Sequence, residues 1–130
     1  MSASRIIVRK SEYTLELVTD AVAERFIVGI GSNPDGGDKL VVGDCRTPEG
    51  TFRIVSIEDS GDWEHEGRLS YGPLFLRLDC PPWEGIGIHG TDEPDSVGTK
   101  SSRGCIRMRN DELRRLAAAV EVGTEVSIVA

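Results

Sequence analysis

The sequence predicts a mostly β domain, a sandwich or open barrel of short strands, with one helix in the C-terminal half at about residues 111–121, next to the loop that carries Cys105. Three observations carry this. Short runs of β-branched and aromatic residues recur along the chain, separated by turns rich in Gly, Pro, Asn and Asp. Only one segment has the 3.6-residue periodicity of a helix. No repeat or linker interrupts the 130 residues, so residues 1–130 read as a single domain. A chain of this size can bury roughly two-thirds of its unfolded surface and needs no metal or disulfide staple.

The strands follow in order. Ile6-Ile7-Val8 is an apolar run, Tyr13 to Val18 is built of β-formers, and Arg25 to Gly31 reads as a third strand. Ser32 to Asp38 is a loop in which nearly every residue favours turns. Cys45 to Gly50 is a turn leading into the partly alternating strand Thr51–Ile57. Residues 58–72 are polar and glycine-rich, an irregular loop holding Trp63 and Tyr71. Leu74–Leu78 and the short Gly85–Gly90 segment are strands, and Val126–Val129 ends the chain as another. The helix is predicted from Asn110 as N-cap, from Asp111 and Glu112 favouring its first turn, and from the stripe Leu113, Leu116, Ala117 and Val120. Gly123 follows its stop.

Composition narrows the function classes. The chain carries 22 acidic and 15 basic side chains, a net charge of −7. That sign, with no basic stripe, argues against nucleic acid as a partner. No apolar run approaches the ~20 residues of a membrane span, and no secretory leader is visible at the start as given. Three cysteines (Cys45, Cys80, Cys105) and two histidines (His65, His89) lack zinc-finger spacing. An odd count leaves at least one thiol free. A Cys45–Cys80 disulfide stays open for an oxidising compartment, and a metal site of Cys45, Cys80, His89 and Cys105 has four donors but no clustered spacing. No cofactor is expected.

The chemistry concentrates in Ile86-Gly87-Ile88-His89-Gly90-Thr91 and Ser101-Ser102-Arg103-Gly104-Cys105-Ile106-Arg107-Met108. The turn formers between them can fold the chain back so that Cys105 and His89 meet. Arg103 and Arg107 flank Cys105, and positive neighbours favour a thiolate. Gly104 allows tight packing, so amides near Cys105 could face a developing oxyanion. His89 can act as general base. No carboxylate is evident as a third member, and a backbone carbonyl beside the histidine could orient its ring instead.

These two segments resemble the signature of L,D-transpeptidase catalytic domains of the YkuD type: a His-Gly, a loop of similar length, then Ser-x-Gly-Cys-x-Arg. Here they are His89-Gly90 and Ser102-Arg103-Gly104-Cys105-Ile106-Arg107. Thr47-Pro48-Glu49-Gly50-Thr51-Phe52 resembles the family's Thr-Pro-x-Gly-x-Phe segment, so the likeness spans nearly the whole chain. It implies Cys105 as nucleophile, His89 as its activator and the Gly90 carbonyl as orienter of His89. The backbone amides of Arg103, Gly104 and Cys105 would form the oxyanion hole. It implies peptidoglycan stem peptides as partners: a donor tetrapeptide cut after its third-residue diamino acid, and an acceptor amine that completes a 3→3 cross-link. Water as acceptor would give an L,D-carboxypeptidase or related amide hydrolase instead. It also implies a monomeric enzyme of the periplasm or cell envelope, although the leaderless chain leaves the cytoplasm open. Many members have His where Arg103 stands, so His89 is the only base in the motif.

Other residues keep two readings. Arg107 could grip a substrate carboxylate or pin a loop to a buried acid. Arg103 could contact substrate or tune Cys105. Ser102, a candidate substrate contact, reads first as a loop brace. Trp63, Tyr71 and Trp83 could line a groove or pack beneath a loop, and His65 reads as a solvated surface residue. A scaffold or wall-binding module without activity is the non-enzymatic alternative.

Overall fold

The structure is a computed structural model and describes residues 4–21, 23–34, 36–64 and 67–130. The expectation for His65 lies outside the described residues. Among the described residues ten strands and one α-helix form: β1 (Arg5–Arg9), β2 (Thr14–Val18), β3 (Ala23–Ile27), β4 (Ile30–Gly31), β5 (Gly50–Asp59), β6 (Leu74–Leu78), β7 (Gly87–His89), β8 (Lys100–Ser102), β9 (Ile106–Arg107), α1 (Asn110–Ala119) and β10 (Glu125–Val129). Eight strands make one curled sheet in the order β3-β2-β1-β10-β5-β6-β7-β9, and β4 and β8 make a small second one. The architecture is thus a mostly β half-barrel with a single C-terminal-half helix.

Period-two alternation sets the register. Ile6 and Val8 of β1, Leu15 and Leu17 of β2, and Val126 and Ile128 of β10 point to one buried face. A one-residue slip would turn all of them to solvent. β1 pairs parallel with β10 and antiparallel with β2, so the two ends of the chain lock together in mid-sheet. Leu113 and Leu116 are fully buried in the core against which Ala117 and Val120 also pack, which places the apolar stripe of α1 against the sheet.

Three local expectations need correcting. Arg25–Gly31 is not one strand. It breaks after Ile27, because Gly29 turns aside to exchange two backbone hydrogen bonds with Arg107 at 2.8 and 2.9 Å. Asn110 is not the N-cap. Arg109 holds the extended N-cap conformation without a side-chain cap bond, and Asn110 is the first helical residue. The helix also stops earlier than residue 121, at Ala119. Val120 is already extended, and the next turn is closed by Glu121 N to Thr124 Oγ1 and Thr124 N to Glu121 O, both 3.0 Å.

Candidate functional site

β7 and β9 run parallel with His89 opposite Arg107. Paired residues of neighbouring strands project to the same face, and alternate residues along a strand share it. Cys105, two residues before Arg107, therefore joins His89 and Arg107 on that face, opposite Gly87. A Cβ on Gly87 would lie 2.6 Å from Leu76 O and 2.7 Å from Phe75 Cζ, so only glycine leaves room for the strands to pack this closely. All three side chains line one cavity of about 380 Å³, with Tyr71, Arg68 and Ser101 around it. A larger hollow of about 720 Å³ lies at the far end of α1 between Arg5, Arg53 and Glu121, and neither cysteine nor histidine lines it.

His89 is buried, and its ring is held on two sides. Phe75, its cross-strand partner in β6, stacks at 5.6 Å with an interplanar angle of 8°. Tyr71 stands edge-on at 5.0 Å. His89 Nδ1 lies 2.5 Å from Gly90 O. A carbonyl can only accept, so Nδ1 carries the proton and Nε2 keeps its lone pair. Burial lowers the His89 pKa to about 4, with Arg107's charge adding to the effect and the Gly90 carbonyl opposing it. The ring is therefore neutral at pH 7, and its Nε2 keeps a free lone pair.

Cys105 is half-buried, its Sγ 3.2 Å from Gly85 O. The expectation of a lowered thiol pKa does not hold. Burial pushes it up and outweighs the Gly87 amide and the charges of Arg107, Arg77 and Lys39, which pull it down. Burial penalises the anion, and cations offset this only in part. Both shifts favour the uncharged forms, a thiol and a neutral imidazole lining one cavity.

The turn before Cys105 is tightly built. Gly104 has φ +142, and a Cβ there would lie 3.1 Å from Arg46 O. Ser102 is buried; its Oγ donates to Cys105 O at 2.5 Å and accepts from Gly104 N at 3.1 Å. The Ser102 hydroxyl therefore braces the turn, and one of its lone pairs is left over at the cavity wall. The Gly104 N–H is donated to the same hydroxyl. Arg103 is exposed at the cavity rim. Arg107 is half-buried, its Nη1 3.4 Å from Ser96 Oγ and its buried Nε without a partner. Among the described residues no carboxylate pairs with Arg107, so the loop-pinning reading finds no acid.

Cys45 lines the same cavity and Cys80 lies in the core. Both are free thiols, so no disulfide joins them. Burial pushes the Cys80 thiol up to about 12. Among the described residues no three His, Cys, Asp or Glu side chains gather to hold a metal, so the four-donor set does not form. Tyr71 lines this cavity and, with Trp63, a neighbouring one of about 430 Å³; Trp63 also packs on Tyr71 and Phe75 at 5.8 and 5.5 Å, and Trp83 lies under Lys39 Nζ at 5.4 Å. The sequence reading missed Phe75, Arg77 and Lys39. Only the β6–β7 register could have pointed to Phe75, and nothing local marks the two cations.

Comparison with known proteins agrees with this geometry. The family model of the L,D-transpeptidase catalytic domain, YkuD, matches residues 3–128. A Bacillus licheniformis protein named for this family is 40% identical over 83 residues, 64% of this chain and 45% of its own length. Bacillus subtilis YqjB is 33% identical over 132 residues, 95% of this chain and 69% of its own. The crystal structure of L,D-transpeptidase 3 from Mycobacterium tuberculosis superposes with a TM-score of 0.77, covering 99% of this chain and 62% of that one, and at 18% identity it speaks for the fold alone. The chain spans about half the length of the YkuD relatives it matches. A family match across nearly every residue, on a curled sheet that opens a histidine and a cysteine onto one cavity, places this chain in the family of L,D-transpeptidase catalytic domains.

Proposed function

We propose that residues 1–130 form one catalytic domain that transfers acyl groups between peptidoglycan stem peptides at the cell envelope. The observation that carries this reading is the shared cavity: Cys105 and His89 face the same space, and Gly90 holds Nδ1 so that only Nε2 can take a proton. In this reaction His89 Nε2 removes the Cys105 proton as Sγ attacks the carbonyl of the third-residue diamino acid. The tetrahedral oxyanion meets the backbone amides of Arg103, Gly104 and Cys105, with the Gly104 N–H exchanging its Ser102 bond for the oxyanion. The imidazolium then protonates the departing amine, D-alanine leaves, and a thioester remains. An amine from a second stem attacks the thioester and yields the 3→3 cross-link. A proton that moves only during attack suits a raised thiol pKa, because no thiolate has to stand unpaired in a buried site.

Intact-mass measurement on the protein incubated with a disaccharide-tetrapeptide tests this. An acyl-enzyme lacking one D-alanine, resolved to a cross-linked dimer when an acceptor stem is added, is the expected result. Product that is always the free tripeptide identifies a hydrolase, and no acylation of folded protein rejects the reading.

Arg107 is the proposed carboxylate grip of this site, from its place in the cavity and its unpaired Nε. Arg107→Gln is expected to raise KM for the stem by about 10–100-fold, the worth of a charge-assisted hydrogen-bonded pair. Amidating the substrate carboxylate that Arg107 holds should cost the wild type the same factor and cost the variant almost nothing. Additive losses would show that Arg107 and that carboxylate do not meet.

A further inference from the structure

Asn110 does not cap its own helix, and its side chain is turned elsewhere. Its Oδ1 accepts from Thr91 N at 2.9 Å. The carboxamide lies against two glycines of distant segments. A Cβ on Gly72 would come within 2.6 Å of Asn110 Oδ1 and equally close to Gly90 Cα, and a Cβ on Gly90 would run into the same oxygen and stand 2.9 Å from Pro73 Cδ. Three stretches of chain, 71–73, 89–91 and 109–110, thus converge on one side-chain amide.

The peptide that Asn110 holds is the one that orients the histidine. Thr91 N–H and Gly90 C=O belong to the same planar trans unit and point in opposite directions. Asn110 Oδ1 takes the N–H on one side; on the other, the carbonyl accepts from His89 Nδ1. Withdrawal of charge through the N–H also makes the carbonyl a stronger acceptor, as in any hydrogen-bonded chain of amides. The His89 backbone is pinned separately, by Met108 N to His89 O at 2.9 Å, so the tilt of the 90–91 peptide is what the carboxamide adds.

We infer that Asn110 is a positioning residue for His89: it fixes the Gly90–Thr91 peptide, and through the Gly90 carbonyl it fixes the ring orientation and the Nδ1–H tautomer of the imidazole. The inference rests on the proposed role of His89 as the base. It assigns to Asn110 the place that a carboxylate holds in a side-chain triad, acting through one peptide plane.

The experiment uses protein labelled with ¹⁵N-histidine at pH 7, with the His89 signals assigned by their absence in His89→Gln. It compares wild type, Asn110→Leu, Asn110→Ala and Asn110→Asp after each is shown to be folded by near-ultraviolet dichroism. Wild type is expected in the Nδ1–H form alone. Asn110→Leu should populate the Nε2–H form and acylate a carbapenem about 10–100-fold more slowly at saturation, with the half-saturating concentration little changed, as for a base displaced by about 1 Å. Asn110→Ala, which leaves space beside Gly72 and Gly90 and forces no shape on them, is read in parallel in case the leucine does not fold. Asn110→Asp keeps an acceptor oxygen and should recover most of both readings. A folded leucine or alanine variant whose His89 remains wholly Nδ1–H overturns the inference, whatever its rate. If the wild type acylates nothing, the proposed function falls, while the tautomer still decides the role of Asn110.

Discussion

Replacing Cys105 with alanine should abolish the covalent adduct that the wild-type protein forms with a carbapenem or a tetrapeptide stem. The loss in acylation rate is expected to exceed about 10⁴-fold, because removing a nucleophile that acts as a unit with its base leaves only binding and oxyanion stabilisation. Intact mass reads it directly: one adduct on wild type, none on Cys105→Ala. The other two thiols provide an internal control. Cys80 is buried, with a thiol pKa of about 12, and should stay unmodified. Cys45 lines the same cavity and is the residue to watch, so an adduct that persists on Cys105→Ala and maps to Cys45 would move the nucleophile. A slow reaction with iodoacetamide would not argue against activity. That reagent needs a standing thiolate, and burial holds the Cys105 thiol protonated until a base removes the proton during attack.

The second large effect is acid sensitivity through His89. Its pKa lies near 4 in the folded protein and near 6.5 for a free histidine. The unfolded chain therefore binds the proton more readily, and stability is fully present above about pH 6.5 and is lost as the pH falls toward 4. The order of magnitude is about 3 kcal/mol over that window, at 1.36 kcal/mol per pKa unit. Glu58, whose pKa is lowered mainly by its hydrogen bond from Arg77, has an ordinary value of only 4.5, so its loss begins lower. Denaturant unfolding at pH 7, 6, 5 and 4 should thus show a slope from about pH 6.5 that His89→Gln removes. Equal slopes in both proteins would mean that His89 titrates normally. The same shift predicts activity: carbapenem acylation should stay level down to about pH 5, then fall about tenfold per pH unit below 4. A base of ordinary pKa would already have lost about nine-tenths of its active form by pH 5.5.

Much of this was legible in the chain. The strands came from alternation and turn formers: Ile6 and Val8, Leu15 and Leu17, Val126 and Ile128 do face one core. The stripe of α1 was visible as a period, and Cys105 with His89 stood out because the His89-Gly90 and Ser102-Arg103-Gly104-Cys105-Ile106-Arg107 segments together resemble one family signature. What misled were local signals read without their surroundings. Asn110 has high N-cap preference, yet its carboxamide gains more from Thr91 N–H, a donor 19 residues away in sequence. The run from Arg25 to Gly31 is continuous in composition but is split by Gly29, whose partner is Arg107. Flanking arginines suggested an activated thiolate, but desolvation depends on what packs above and below the sulfur, and no sequence neighbour reports it.

The sequence by itself determined the residue types, the period of each element and the pair of groups able to exchange a proton, since these depend on side-chain chemistry and on spacing along one chain. Only the tertiary structure decided the state of that pair. The parallel register of β7 and β9 puts Cys105, His89 and Arg107 on one face. Phe75 stacked on one side and Tyr71 edge-on at another bury the imidazole, and burial favours its neutral form. One peptide plane, held by Asn110, chooses its tautomer. Each is set by contacts between segments remote in the chain, where burial and hydrogen-bond geometry, not composition, fix where a proton resides.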